Sequence, residues 1–313
     1  MCDDRVVTTD PNFRPTDGGA TAGAGSPYHL RDRLAGVRAL VLDLDGVLTV
    51  RGALLPGAVV ALSALDARSI PYLIGTNVSL VSQGTLAREL TEAGLAVPAE
   101  RIVSAVSTAA ALAKREYGAA PLYVMASQDA LTQFAGLHLL SHEEAAEPDA
   151  RVAAVIVGDA ADEFTPRNML SAFRLLRNGA RLVAMHKNRW WLTSDGATLD
   201  AGAYVAGLEF ATERRALVTG KPSRAFFREA VSQLAQAGGY GTPNRLSRRD
   251  VTMVGDDLWN DIRGAQKAGL RGVFVHSGKH GDAELASLAS ERDGRRPDAV
   301  APSIVEVVAA LVG

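Results

Sequence analysis

The chain has 313 residues, 47% of them hydrophobic and 22% charged, with a formal net charge of -2. That suits one large globular domain or two ordinary ones, and the near-neutral balance argues against nucleic acid as a main partner. The only cysteine is Cys2, which excludes a disulfide framework and a thiolate zinc site; no apolar run reaches a membrane span and no basic-then-apolar leader opens the chain, so a cytoplasmic protein without a membrane partner is expected.

Residues 1–29 are rich in Gly, Ala, Thr, Asp and Pro, show no period and read as a disordered tail. Four apolar residues, Ala39 to Leu42, then predict a strand buried on both faces, ending at Asp43-Leu44-Asp45-Gly46. Pro56-Gly57 opens a helix to Arg68, and a second buried strand spans 71–74 and ends at Gly75-Thr76-Asn77. A helix over 83–93 and a short strand over 101–103 follow. This alternation implies an α/β fold with a doubly wound, parallel, Rossmann-like sheet, in which ligands bind beyond the carboxyl ends of strands.

A second alternating series starts near Ser107, with helices over 108–117, 127–134 and 165–178 and strands over 121–125, 153–157 and 181–185. Residues 142–150 read as an acidic connection. The first rhythm resumes with a helix over 201–212, a strand over 216–219 ending at Gly220-Lys221-Pro222, and a helix capped by Ser223. A strand over 251–254 ends at Gly255-Asp256-Asp257, a helix over 260–268 stops at Gly269, and a strand over 271–275 and helices over 282–291 and 303–311 finish the chain. The expected organisation is a tail over 1–29, a discontinuous core of 30–106 and 201–313, and an inserted smaller α/β domain over 107–200.

Four strand ends therefore carry polar groups: Asp43/Asp45, Thr76/Asn77, Lys221 and Asp256/Asp257, with Asp261 one turn on. Each alone could be a turn, a cap or a solvated lysine. Together they supply a nucleophilic carboxylate, a hydroxyl/amide pair, an ammonium and an acidic cluster, the parts of phosphoryl transfer through an aspartyl-phosphate. Crowded carboxylates call for a hard divalent cation such as Mg²⁺.

DLDGVLT from Asp43, GTN at 75–77, GKP at 220–222 and GDDLWND at 255–261 resemble, in order, the four motifs of the haloacid dehalogenase superfamily of phosphohydrolases. The insertion between the second and third motifs resembles the class IIA cap. HKNRWW at 186–191, DGATL at 195–199, VAGLEFAT at 205–212 and GKPSRAFFREA at 220–230 are similar to the phospholysine phosphohistidine inorganic pyrophosphate phosphatase subgroup. Several animal members of that subgroup carry Ser where this chain has Asp45; keeping Asp favours two-aspartate chemistry. The resemblance implies a Mg²⁺-dependent phosphatase acting on a small phosphorylated metabolite or pyrophosphate. Asp43 would attack phosphorus and ligate the metal. Asp45 would be general acid and base and lend its backbone carbonyl to the metal. Thr76 and Asn77 would bind phosphate, Lys221 would hold both Asp43 and phosphate, and Asp256 would ligate directly. Either Asp261 or Asp257 would act through water, Asp261 fitting the usual spacing. No partner is expected beyond the substrate and, through the cap, a second copy of the chain.

Weaker candidates remain. His186, Lys187, Asn188, Arg189, Trp190 and Trp191 lie where the cap returns to the core and are either substrate contacts, Trp190 and Trp191 foremost, or a packed aromatic pair with a basic turn. His138 and His142 beside Glu143, Glu144 and Glu147 lack ligand spacing. His276 and His280 read as surface or supporting groups, and Gly238 to Gly241 is not a phosphate loop. A phospho-accepting receiver module or a catalytically inactive binding protein are the rival readings; Asp45 and the cap-sized insertion argue against the first, and the complete set of charged motif residues against the second.

Overall fold

The apolar run Ala39–Leu42 forms strand β1, and its side chains serve two faces in alternation, as a pleated strand requires. Leu40 and Leu42 pack with Ile74, Ile102, Val254 and Val273; Ala39 and Val41 pack with Leu73, Met253 and Phe226 on the other side. The computed structural model describes residues 27–193, 196–238, 246–288 and 295–313. After β1 come β2 (Thr49–Val50) and β3 (Ala53–Leu54), a small hairpin, then β4 (Tyr72–Thr76) and β5 (Ile102–Ser104). Next are β6 (Leu122–Met125), β7 (Ala154–Val157), β8 (Arg181–Ala184), the pair β9 (Trp190–Thr193) and β10 (Gly196–Leu199), and β11 (Leu217–Val218). The chain closes with β12 (Val251–Gly255), β13 (Arg271–Val275) and β14 (Ala299–Ala301).

Six parallel strands form the first sheet in the order β14-β13-β12-β1-β4-β5. The chain leaves β1 on one side to β4 and comes back on its other side as β12, so the crevice beyond the carboxyl end of β1 is the topological switch point where ligands of such sheets bind. A second parallel sheet, β11-β8-β7-β6, is the cap. One of its faces packs with helix Ala105–Tyr117 through Val106, Leu122 and Ile156, the other with helices Pro166–Arg177 and Ala201–Thr212 through Leu176, Val155, Val205 and Leu208.

The α/β architecture with an inserted cap is as expected, and four details are corrected. The expected return to the core at 201 comes later: helix Ala201–Thr212 is buried on the cap sheet, and β11 is that sheet's edge strand. A two-residue apolar run reads the same in either sheet, so only the pairing of Leu217 with Val183 decides it. Order begins earlier than residue 30, with helix Pro27–Leu34 anchored by buried Leu34; residues 1–26 of the expected tail lie outside the described residues. Within the acidic connection, Ser141 caps a short helix, His142–Ala146. Trp190–Thr193 and Gly196–Leu199, to which the expected order assigned no strand, form an antiparallel pair. The expected Gly-rich loop at 239–241 lies outside the described residues. Among the described residues, no helix is long and apolar enough to cross a membrane.

Candidate active site

Asp43 stands at the end of β1, buried, with its backbone N–H donated to Val254 at 2.9 Å. One carboxylate oxygen, Oδ1, accepts the Leu44 N–H at 2.7 Å and lies 2.6 Å from the Lys221 ammonium. Lys221 reaches Asp261 Oδ1 as well, at 2.7 Å. Lys221 follows β11, so it arrives from the cap sheet's edge, and Asn77 fixes it in place. The Asn77 side chain accepts the Lys221 N–H at 2.7 Å and donates to the Lys221 carbonyl at 3.1 Å. Asn77 thus lines the cleft while its amide clamps the lysine's backbone; an expectation of phosphate contact alone missed that role. Thr76 is buried, and its hydroxyl accepts the Val78 N–H at 3.2 Å.

Asp45 is half-buried and accepts the Thr49 hydroxyl at 3.2 Å. The turn after it is tight, with Gly46 N–H bonded to the Thr49 carbonyl at 2.7 Å. Gly46 has φ +83°, and a Cβ there would lie 2.0 Å from Asp256 Oδ2. Gly278, beyond β13, is under the same constraint at 1.9 Å from that oxygen. Both glycines let backbone approach the carboxylate directly.

Asp256 and Asp257 leave β12 together and do different things. Asp257 caps the following π-helical turn, Leu258–Arg263, accepting N–H groups of Trp259 and Asn260 at 2.9 Å each. It also accepts the Asn260 amide at 2.9 Å and the Lys279 ammonium at 3.1 Å. Burial alone would raise its carboxyl; Lys279 and the Asn260 N–H hold it below its ordinary value. Asp256, Asp261 and Asp43 instead converge, one carboxylate oxygen of each lying within 4.8 Å of the others, all three buried. Between Asp257 and Asp261, the cluster includes Asp261.

The electrostatics are severe. Burial pushes the Asp43 carboxyl up to about 6 against the pull of Lys221, with Asp256 adding to the rise. Burial and then Asp261 push Asp256 up to about 7, against the Lys279 N–H that it accepts at 2.6 Å. Burial and Asp43 raise Asp261 well above the ordinary 3.8, with Lys221 opposing. Burial would lower the Lys221 ammonium, but Asp261 and Asp43 outweigh it and hold it above its ordinary value. Each carboxylate pair at such separations repels by roughly 3–4 kcal/mol at an effective dielectric of about 20. One lysine against three carboxylates leaves two negative charges, the charge of one divalent cation. Oxygen-only ligands suit a hard ion. The residues present fit such an ion.

The cap closes the cleft from above. The cavity, about 610 Å³, is lined by the strand-end residues and, from the cap, by Asp159, His186, Arg189, Trp190 and Asp200. His186 is buried, 2.7 Å from the Ser79 hydroxyl and 3.7 Å from Asp200. Ser79 also accepts the Asp159 N–H at 3.0 Å, and Asp129 of the cap accepts Ser82 N–H at 2.6 Å and Thr85 hydroxyl at 3.0 Å. The core loop after Thr76-Asn77 is thereby tied to the cap. Lys187 pairs with Glu209 at 2.6 Å. Trp190 is half-buried and lines the cleft. Trp191 pairs with Thr198 through its backbone, and its side chain lies outside the described residues. His142 turns to Tyr123, 2.7 Å away, and to Glu163, 3.2 Å away. His280 accepts the Leu258 N–H at 3.0 Å beside Asp257, a supporting position, and His276 sits 3.7 Å from Asp282.

Sequence reasoning missed Lys279, Ser79, Asp159 and Asp200. A signal existed only for Lys279, which follows Gly278 at a strand end as Lys221 follows Gly220; the others depend on pairing in the cap sheet.

Buried carboxylates joined by one lysine at the switch point of a doubly wound sheet, beneath an inserted cap, define an aspartate-centred hydrolase. Comparison with known proteins narrows this. A family model described as haloacid dehalogenase-like hydrolase matches residues 40–139, and a second model of HAD-type hydrolases matches 218–307. Haloacid dehalogenase-like hydrolase domain-containing protein 2 of Bos taurus is 33% identical over 244 residues, 78% of this chain and 86% of that one. Phospholysine phosphohistidine inorganic pyrophosphate phosphatase of Xenopus laevis is 32% identical over 252 residues, 78% of this chain and 85% of that one. Among solved structures, the p-nitrophenyl phosphatase from Archaeoglobus fulgidus superposes with a TM-score of 0.75 at 25% identity, covering 88% of this chain and 99% of that one. The chain belongs to the haloacid dehalogenase-like hydrolases, and within them to the capped phosphatases. The receiver and binding-protein readings are not favoured.

Proposed function

We propose that this enzyme is a Mg²⁺-dependent phosphatase that hydrolyses a small phosphorylated metabolite or pyrophosphate through an aspartyl-phosphate on Asp43. The observation that carries the reading is the position of Asp43: a buried strand-end carboxylate with Lys221 at 2.6 Å and two further carboxylates within 4.8 Å. Asp43, Asp256 and Asp261, with the Asp45 carbonyl, would hold Mg²⁺, which when bound supplies the charge neutralisation that lets an anionic substrate enter.

A free oxygen of Asp43 attacks phosphorus while the bond to the leaving oxygen breaks. Asp45 gives that oxygen its proton. Now a carboxylate, Asp45 takes a proton from water as the water attacks the aspartyl-phosphate; phosphate leaves, and Asp43 is regenerated. Lys221 keeps Asp43 ionised and offers positive charge to the phosphoryl oxygens, with the Thr76 hydroxyl and the Thr76-Asn77 backbone beside it. The cap walls the cleft against bulk water and meets the leaving group through Trp190, Arg189 and His186.

A release assay of inorganic phosphate tests this. Purified enzyme would be offered pyrophosphate, phosphohistidine, sugar phosphates, nucleotides and pyridoxal phosphate, each with Mg²⁺ and with chelator. Chelator-sensitive release from at least one substrate is expected; release unaffected by exhaustive chelation, or from none of them, overturns the reading.

A further inference from the structure

A second cavity, about 420 Å³, opens on the seam between cap and core, away from the carboxylates. Five arginines line it: Arg115 on helix Ala105–Tyr117, Arg181 at the start of β8, Arg224 and Arg228 on helix Arg224–Ala237, and Arg248 before β12. The only acidic lining residue is Glu116, held 3.0 Å from Arg115. Arg248 donates to the Ala268 carbonyl at 3.2 Å. Arg181, Arg224 and Arg228 have no acidic partner among the described residues. Five arginines against one glutamate leave a local excess of positive charge in a chain whose net charge is -2. Tyr117 also lines the cavity.

The remaining lining, Leu112, Leu217, Ala225, Phe227, Ala268 and Leu270, is apolar, so the cavity combines arginines with an uncharged surface. Guanidinium forks match phosphate oxygens in pairs, and several of them suit a ligand with several phosphates better than a single carboxylate. The volume admits a small molecule rather than a folded partner. We propose that this seam cavity binds a small molecule bearing two or more linked phosphate groups, at a site separate from the catalytic cleft. Its walls come from the cap sheet and from helices and loops of the core, and Arg224 lies three residues after Lys221, so the ligand would bridge cap and core next to the loop that carries the catalytic lysine.

Titration calorimetry of the full chain with inorganic tripolyphosphate, metal-free and at low and moderate salt, tests the site. Saturable, salt-weakened binding is expected. Arg224→Ala/Arg228→Ala should weaken it by roughly tenfold or more, since charge-assisted contacts are lost. Arg181→Ala should weaken it by less. None of these variants should change the melting temperature appreciably, nor nitrophenyl phosphate hydrolysis without tripolyphosphate. Absence of saturable binding overturns the proposal. So does binding of equal strength in the double arginine variant that Lys221→Met instead removes, because the anion would then occupy the catalytic cleft.

Discussion

The floor and the roof of the catalytic cleft are built on different principles. On the floor the charged side chains are anchored. Asp43, Lys221, Asp256, Asp257 and Asp261 are buried and tied to one another or to backbone at 2.6–3.2 Å, and two glycines leave no room for even a methyl group beside Asp256. On the roof, Arg189 is exposed and Trp190 half-buried, held by a two-stranded antiparallel pair. A floor so constrained fixes one chemistry; a roof with freedom can be altered without disturbing it. Changes to the floor should therefore abolish or reshape the chemical step, and changes to the roof should redistribute substrates.

The largest effect belongs to Asp43→Asn. An amide neither attacks phosphorus nor replaces the carboxylate beside Lys221, so turnover should fall by roughly 10⁴-fold or more on every substrate. A variant retaining near-normal phosphate release would remove Asp43 from the floor's chemistry altogether. Asp45→Asn comes next, with a loss of roughly 10²–10⁴-fold, the range for a general acid–base. Nitrophenyl phosphate, whose leaving group scarcely needs a proton, should lose least. Equal losses on good and poor leaving groups would show that Asp45 is not the acid.

How far the floor and roof could be read in advance follows from the same contrast. Asp43, Asp45, Thr76, Asn77 and Asp256 sit at ends of apolar runs whose length and burial are written in the sequence, so the switch-point site was legible as strand ends. The choice of Asp261 over Asp257 was not, because it depends on Asp257 spending its oxygens as a helix cap. Lys221 was expected after a strand of the core sheet but follows one of the cap sheet, since the pairing of Leu217 with Val183 leaves no trace in a run so short. Asp159, His186 and Asp200 meet only because cap strands bring distant segments together. The seam cavity is the extreme case: its five arginines are scattered between 115 and 248 with no motif.

A smaller effect separates the floor's charge from its metal. Folding raises Asp43 from 3.8 to about 6 and Asp256 from 3.8 to about 7, so the folded chain keeps protons that the unfolded chain has released. Their contribution to stability is whole below about pH 4 and is lost as pH rises through about 6–7. The metal-free enzyme should lose melting temperature across that window, and added Mg²⁺ should restore more of it at pH 8 than at pH 5, because its ligands must be deprotonated. A Mg²⁺ shift that is the same at both pH values would contradict the carboxylate cluster as its site.

The smallest effect is on the roof. Trp190→Ala should change the ratio of activity on organic phosphates to that on pyrophosphate by a few fold while lowering stability by less than the roughly 3–5 kcal/mol of a core tryptophan. Unchanged ratios with a large stability loss would make Trp190 a packing residue and place the leaving-group contact elsewhere on the cap.

The most direct test asks whether the phosphoryl group passes through Asp43. Enzyme turning over a substrate with a radiolabelled phosphoryl group would be quenched in acid, digested and mapped. An aspartyl-phosphate route requires label on the peptide containing Asp43, absent from Asp43→Asn and increased in Asp45→Asn, where water is no longer activated. Full turnover by the unmodified enzyme with no label on that peptide, or with label on another residue, would contradict it.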